Sequence, residues 1–115
     1  KCLNIMSSDR GLYDEPLEQP VSVEGWDRVH LKASLDHDRL QFRYSRDGRE
    51  WTPIGPALDA SIVSDENVEA KLEGRLNDQG FTGAFLGICA QDLSGRGKHA
   101  DFDYFSYREL PDPGV

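Results

Sequence analysis

The chain has 115 residues, of which 37% are hydrophobic and 30% charged, the composition of a folded globular protein with length for one core and not two. A formal net charge of −8 disfavours polyanionic partners and sets nucleic acid aside. No apolar run approaches the roughly 20 residues that cross a bilayer, which sets membrane insertion aside as well.

The opening residues, KCLNIMSSDR, lack the charged start, apolar middle and small-residue cleavage site of a signal peptide. The chain begins at Lys1 rather than a methionine, so a processed leader stays open; a cytoplasmic setting is the working expectation. Cys2 and Cys89 both sit in apolar stretches and read as buried thiols rather than a disulfide framework. Without a histidine cluster they make no zinc site.

From Val29 onward the dominant pattern is apolar–polar alternation of period two. In VHLKASL, Val29, Leu31, Ala33 and Leu35 share one face, while His30, Lys32 and Ser34 share the other. In LQFRYS, Leu40, Phe42 and Tyr44 stand opposite Gln41, Arg43 and Ser45. The polar stretch Asp36–Arg39 between the two runs predicts a tight turn and an antiparallel hairpin. A second turn is expected at Arg46, Asp47 and Gly48, with the strand resuming at Trp51. SRDGREW resembles a shortened form of the turn motif of sialidase-type propeller blades; the plainer reading is a hairpin with an aromatic plug.

Between Ile62 and Gly80 the alternation fails. Val68, Leu72 and Leu76 recur every four residues in an acidic stretch, which predicts a loop with at most one or two helical turns, weakened by Gly74. FTGAFLGICAQ, from Phe81 to Gln91, is nearly continuous in apolar character and predicts a central strand buried on both faces. After the loop DLSGRGK, ADFDYFSY (Ala100 to Tyr107) predicts a last, aromatic-rich strand, and residues 111–115 a frayed tail. Short strands joined by turns define an all-β sandwich or barrel.

The motifs LDAS, SDE, FTGAF, AQDLSG and HADFDYF, in that order within Leu40 to Glu66 and Gly80 to Leu110, carry a family likeness. The chain resembles the C-terminal concanavalin A-like domain of glycoside hydrolase family 43 β-xylosidases. The resemblance implies a jelly-roll β-sandwich of about two hundred residues following a catalytic β-propeller, with residues 1–110 forming only the later part of the sandwich. It also implies partners: the propeller, further copies of the chain in an oligomer, and xylo-oligosaccharide reached only through a composite site. The family hydrolyses xylosides with inversion, using two carboxyls roughly 6.5 to 9.5 Å apart that both lie on the propeller, so no catalytic residue carries over to this chain. What carries over is a loop tip, GFTGA, which in family members places a phenylalanine at the rim of the sugar pocket. Phe81 is the matching residue; its alternative is a core position at the start of a strand, and Phe85 reads as core. One departure is that Asn67 to Gln79 is longer than the family's usual link.

Asp101 and Asp103 would emerge on one face of a strand about 7 Å apart, a spacing that tempts a glycosidase reading. Two positions on one strand seldom supply the contrasting environments an acid–base pair needs, and hydrogen bonding to nearby turns is the favoured reading. Asp92, Asp101 and Asp103 could converge on a structural calcium ion, although no EF-hand spacing is present, and no cofactor is expected. His30, His37 and His99 are scattered and read as surface or hydrogen-bonding residues. Trp26, Trp51, Tyr13 and Tyr104 could form a sugar-stacking platform, making the chain an independent lectin-like carbohydrate-binding module; packing roles for the tryptophans are the favoured reading.

Overall fold

A computed structural model describes residues 1–9, 11–63 and 85–109. The chain divides into two units, Lys1–Gly83 and Ala84–Val115. The expectations for Phe81, for a helical turn over 64–80 and for a tail at 111–115 lie outside the described residues.

Among the described residues the first unit holds eight short strands: β1 (Cys2–Leu3), β2 (Ser7–Asp9), β3 (Leu12–Asp14), β4 (Val21–Ser22), β5 (His30–Asp36), β6 (Arg39–Ser45), β7 (Thr52–Pro53) and β8 (Leu58–Asp59), followed by a 3-10 turn at Ala60–Val63. β1 pairs antiparallel with β4, and β2 with β3. These four strands, of two or three residues each, are too short to leave an alternation signal, so periodicity did not foretell them.

β5 and β6 form the predicted antiparallel hairpin. Leu31 stands opposite Tyr44, Ala33 opposite Phe42 and Leu35 opposite Leu40, so every apolar residue of both strands falls on one face. The loop contracts to His37 and Asp38 between the paired Asp36 and Arg39, and His37 takes a left-handed φ of 54°.

β6 is the centre of a four-stranded sheet, with β5 along one edge and β7 and β8 in succession along the other. Tyr44 pairs with Thr52 and Arg43 with Pro53; further on, Leu40 pairs with Leu58 and Arg39 with Asp59. Residues 54–57 therefore face only Gln41 and Phe42, a bulge of two extra residues. Ile54 still donates its N–H to the Phe42 carbonyl at 2.8 Å, and the Gln41 side-chain amide donates to the Gly55 carbonyl at 3.2 Å. Pro53 costs the ladder no donor that an inner strand would need, since β7 has no further strand beyond it among the described residues.

The bulge aims Ile54 inward. Ile54, Ile5 and Val23 are the buried hydrophobic residues among those described. Gly55, at φ 66°, closes this small core: a Cβ there would stand 2.4 Å from Leu17 Cδ2 and 4.0 Å from Ile5 Cδ1.

Several expectations are corrected. Leu31 and Leu35 lie on the predicted apolar face yet are 61% and 51% exposed; alternation fixes which face seeks cover, and says nothing about where the cover comes from. In the second unit, 85–91 and 100–107 contain no strand, and their residues are exposed except Asp92 between them, which is half-buried. Phe85, read as core, is 87% exposed. A strand is a property of a pair, since its N–H and C=O groups need a ladder partner, and none reaches these segments among the described residues. Cys2 and Cys89 are unpaired, as expected, but exposed rather than buried.

Candidate functional site

Two aromatic groupings flank the β5–β6 hairpin. On the apolar side the Trp26 ring lies 5.9 Å from that of Tyr44, tilted by 36°, and the Arg46 guanidinium sits 5.2 Å from the Trp26 ring centre. On the polar side the Lys32 ammonium stands 3.9 Å above Trp51, and His30 meets the same ring edge-on at 6.3 Å. Tyr44 and Lys32 point to opposite faces of their sheet, so the two tryptophans do not share a platform. Tyr13, on β3, donates its hydroxyl to Glu15 at 2.9 Å. Trp26 and Trp51 are half-buried and engaged with neighbouring side chains, the packing role favoured over sugar stacking.

The turn SRDGREW is built around one carboxylate. Asp47 Oδ1 accepts from the backbone N–H of Arg49 at 2.8 Å, from that of Glu50 at 3.0 Å and from the Ser45 hydroxyl at 3.0 Å. Ser45 Oγ in turn accepts the Gly48 N–H at 2.8 Å. The side chain of Ser45 is buried, with the residue 2% exposed, and Gly48 adopts φ 78°. The donors from Glu50, Arg49 and Ser45 pull the Asp47 carboxyl down to about 2 from an ordinary 3.8. A Ser-x-Asp-Gly spacing was the visible signal of this turn; the second acceptor role of Ser45 was not legible.

A similar device holds the DLSGRGK loop. Asp92 Oδ1 accepts the Ser94 hydroxyl at 2.5 Å and the Ser94 N–H at 2.8 Å, and Oδ2 accepts the Lys98 N–H at 2.9 Å. The Ser94 hydroxyl and these N–H groups lower the Asp92 carboxyl below its usual range. Gly95 and Gly97 supply the left-handed φ values of 72° and 70° that let the loop wrap the carboxylate. Asp92 is thus occupied by its own loop. Among the described residues no three of His, Cys, Asp and Glu gather as metal ligands, so the calcium convergence with Asp101 and Asp103 is not formed.

Asp101 and Asp103 are both exposed on a segment without strand pairing, so the strand spacing that suggested an acid–base pair has no basis here. A general acid of a glycosidase needs the burial that raises its pKa. The Asp101 carboxylate instead lies 3.7 Å from His99 Nε2. His37 stands 3.8 Å from Asp36 in the hairpin loop, and His30 packs against Trp51. Cys89, Gln91, Asp92, Lys98 and His99 border an open groove of about 540 Å³, too exposed to enclose a ligand.

The family model for the C-terminal concanavalin A-like domain of β-xylosidases matches residues 1–108. A xylosidase/arabinosidase 43B of Humicola insolens is 42% identical over 98 residues, covering 85% of this chain and 17% of the relative. A xylan 1,3-β-xylosidase of Vibrio sp is 34% identical over 109 residues, covering 95% of this chain and 19% of the relative. The crystal structure of a xylan β-1,4-xylosidase from Bacillus halodurans C-125 superposes with a TM-score of 0.53 at 31% identity, over 57% of this chain and 13% of that one. The chain thus spans less than a quarter of the length of these relatives.

Proposed function

This chain belongs to the family of C-terminal concanavalin A-like domains of β-xylosidases, and from that membership we propose that it serves a larger glycosidase as an accessory β-sandwich element, leaving bond cleavage to a separate catalytic body. Matching only 17 to 19% of the two relatives above, it is an accessory portion of such enzymes rather than a complete one. The observation that carries the role is the ready-made apolar face of the β5–β6 hairpin, on which Leu31 and Leu35 remain exposed. Exposed apolar side chains lined up on one sheet face mark a surface shaped to be covered.

In the proposed assembly, residues 1–110 form the later part of the sandwich. Its remaining strands cover the hairpin face and pair with 85–91 and 100–107, and the whole packs against a catalytic β-propeller that cleaves xylosides or arabinosides. Phe81, at the tip GFTGA, reaches the rim of the sugar pocket and lays its ring on the apolar side of a xylose unit, which helps exclude water. The sugar therefore meets this chain only through a composite site, and contacts between copies of the sandwich contribute to a homo-oligomer. No cofactor is called for, and the two unpaired cysteines favour a reducing, cytoplasmic setting. Among the described residues no helix is long and apolar enough to cross a membrane.

The test is Phe81→Ala in the full-length enzyme. Loss of one stacking contact lowers kcat/KM on short xylosides by a factor corresponding to about 1 kcal/mol, with the melting temperature unchanged. Unaltered kinetics would remove Phe81 from the pocket.

A further inference from the structure

The sequence contains one Asp-Gly step, Asp47–Gly48, and we propose that Ser45 guards it against conversion to isoaspartate. Asp-Gly is the dipeptide most open to this reaction, because glycine has no side chain to hinder attack at its own nitrogen. The Gly48 amide, on losing its proton, attacks Asp47 Cγ. An N–Cγ bond forms, the carboxyl hydroxyl leaves as water, and a five-membered succinimide results. Water then opens the ring. Cleavage at Cγ restores aspartate, and cleavage at the main-chain carbonyl leaves the backbone running through the side chain as isoaspartate. No oxidant or second reactant beyond water is consumed.

Three features of the turn oppose each requirement of that chemistry. The Gly48 N–H is committed to Ser45 Oγ at 2.8 Å, so the nitrogen cannot ionise without breaking that bond. The Asp47 carboxylate is held by the N–H groups of Arg49 and Glu50 and by the Ser45 hydroxyl, which fixes its rotamer away from free rotation about Cβ. The same donors keep the carboxyl ionised well below neutrality, and an ionised carboxylate offers no hydroxyl to expel. Ser45 takes part in all three through a single oxygen, and its burial, at 2% exposure, shields both of its hydrogen bonds from competing water.

Isoaspartate would be ruinous here. An extra methylene in the backbone at position 47 would shift the register between β6 and β7, which pair at Tyr44 and Thr52, three residues before and five residues after Asp47.

The test compares isoaspartate at position 47, measured by peptide mapping with fragmentation that distinguishes the isomers, after long incubation of the full chain near neutral pH. The native chain should accumulate it about tenfold more slowly than the same chain held unfolded in guanidinium. Ser45→Ala, with its circular dichroism spectrum retained, should react roughly threefold to tenfold faster than the native chain, the factor one lost hydrogen bond supports. Should Ser45→Ala lose the native spectrum, Ser45→Cys takes its place with the same expectation, since a thiol is nearly isosteric and a far weaker acceptor. A native chain that reacts as fast as the unfolded one overturns the proposal. So does a folded Ser45 variant that reacts no faster than the native chain.

Discussion

Replacing Gly55 by alanine tests whether the bulge, rather than the hairpin, sets the small core of the first unit. Gly55 holds φ 66°, and placing an L-residue there costs about 1–2 kcal/mol. Loss of glycine's freedom in the unfolded chain returns roughly 0.4–1 kcal/mol. The new methyl would also stand 2.4 Å from Leu17 Cδ2, the end of a half-buried side chain that can turn aside, so the repacking falls at the low end, about 1 kcal/mol, of what such crowding costs. The sum predicts a net destabilisation of about 1–3 kcal/mol for Gly55→Ala, read from the midpoint of urea unfolding followed by circular dichroism. The steric part is separable. In a Leu17→Ala background the clash is gone, so the alanine at 55 should cost about 1 kcal/mol less than it does alone. A Gly55→Ala chain as stable as the parent, or a cycle with no coupling between 55 and 17, would refute the account of how the bulge closes the core.

Two further outcomes follow from features of the same unit. Because the folded Asp47 carboxyl titrates near 2 and an unperturbed one near 3.8, its contribution to stability is complete above about pH 4 and is lost as pH falls through about 2; an NMR titration of the Asp47 carboxyl carbon that gave an ordinary value would show the turn's hydrogen bonds to be absent in solution. Changing Leu31 and Leu35 together to lysine should alter the stability of this chain by no more than about 0.5 kcal/mol, since both are exposed. In the full-length enzyme the same pair should lower the melting temperature or weaken oligomer formation by size-exclusion chromatography; an enzyme indifferent to two buried charges would mean that the face is not covered.

The parts of the fold that were legible are those written in local alternation. VHLKASL and LQFRYS each repeat apolar residues at period two across several positions, and the polar stretch between them admits a tight turn, so pairing and facing both followed. β1 to β4 were not legible, because strands of two or three residues carry no periodicity and depend on whichever backbone happens to lie beside them. Residues 85–91 and 100–107 failed for the opposite reason. Their composition is that of a strand, but composition records only what a segment can become once paired, and the pairing partner is a long-range fact. Of the residues that hold the turns and the small core, Asp47 lay within a recognisable turn motif, whereas Gly55 gave no sign, since its role arises from Leu17 some forty positions earlier in the chain. The family resemblance rested on ordered motifs spread over most of the sequence and is matched by the family model over residues 1–108.

The sheet centred on β6 has a kinetic consequence. All its partners, β5, β7 and β8, lie within some twenty residues of it along the chain, so little loop-closure entropy opposes its formation. A hairpin of this kind closes in about 1–10 microseconds, far faster than a ribosome adds a residue at roughly 5–20 per second. The sheet is therefore expected to be in place almost as soon as Asp59 emerges, so that Leu31 and Leu35 join any later assembly from a surface already formed, as a template rather than as a product of docking.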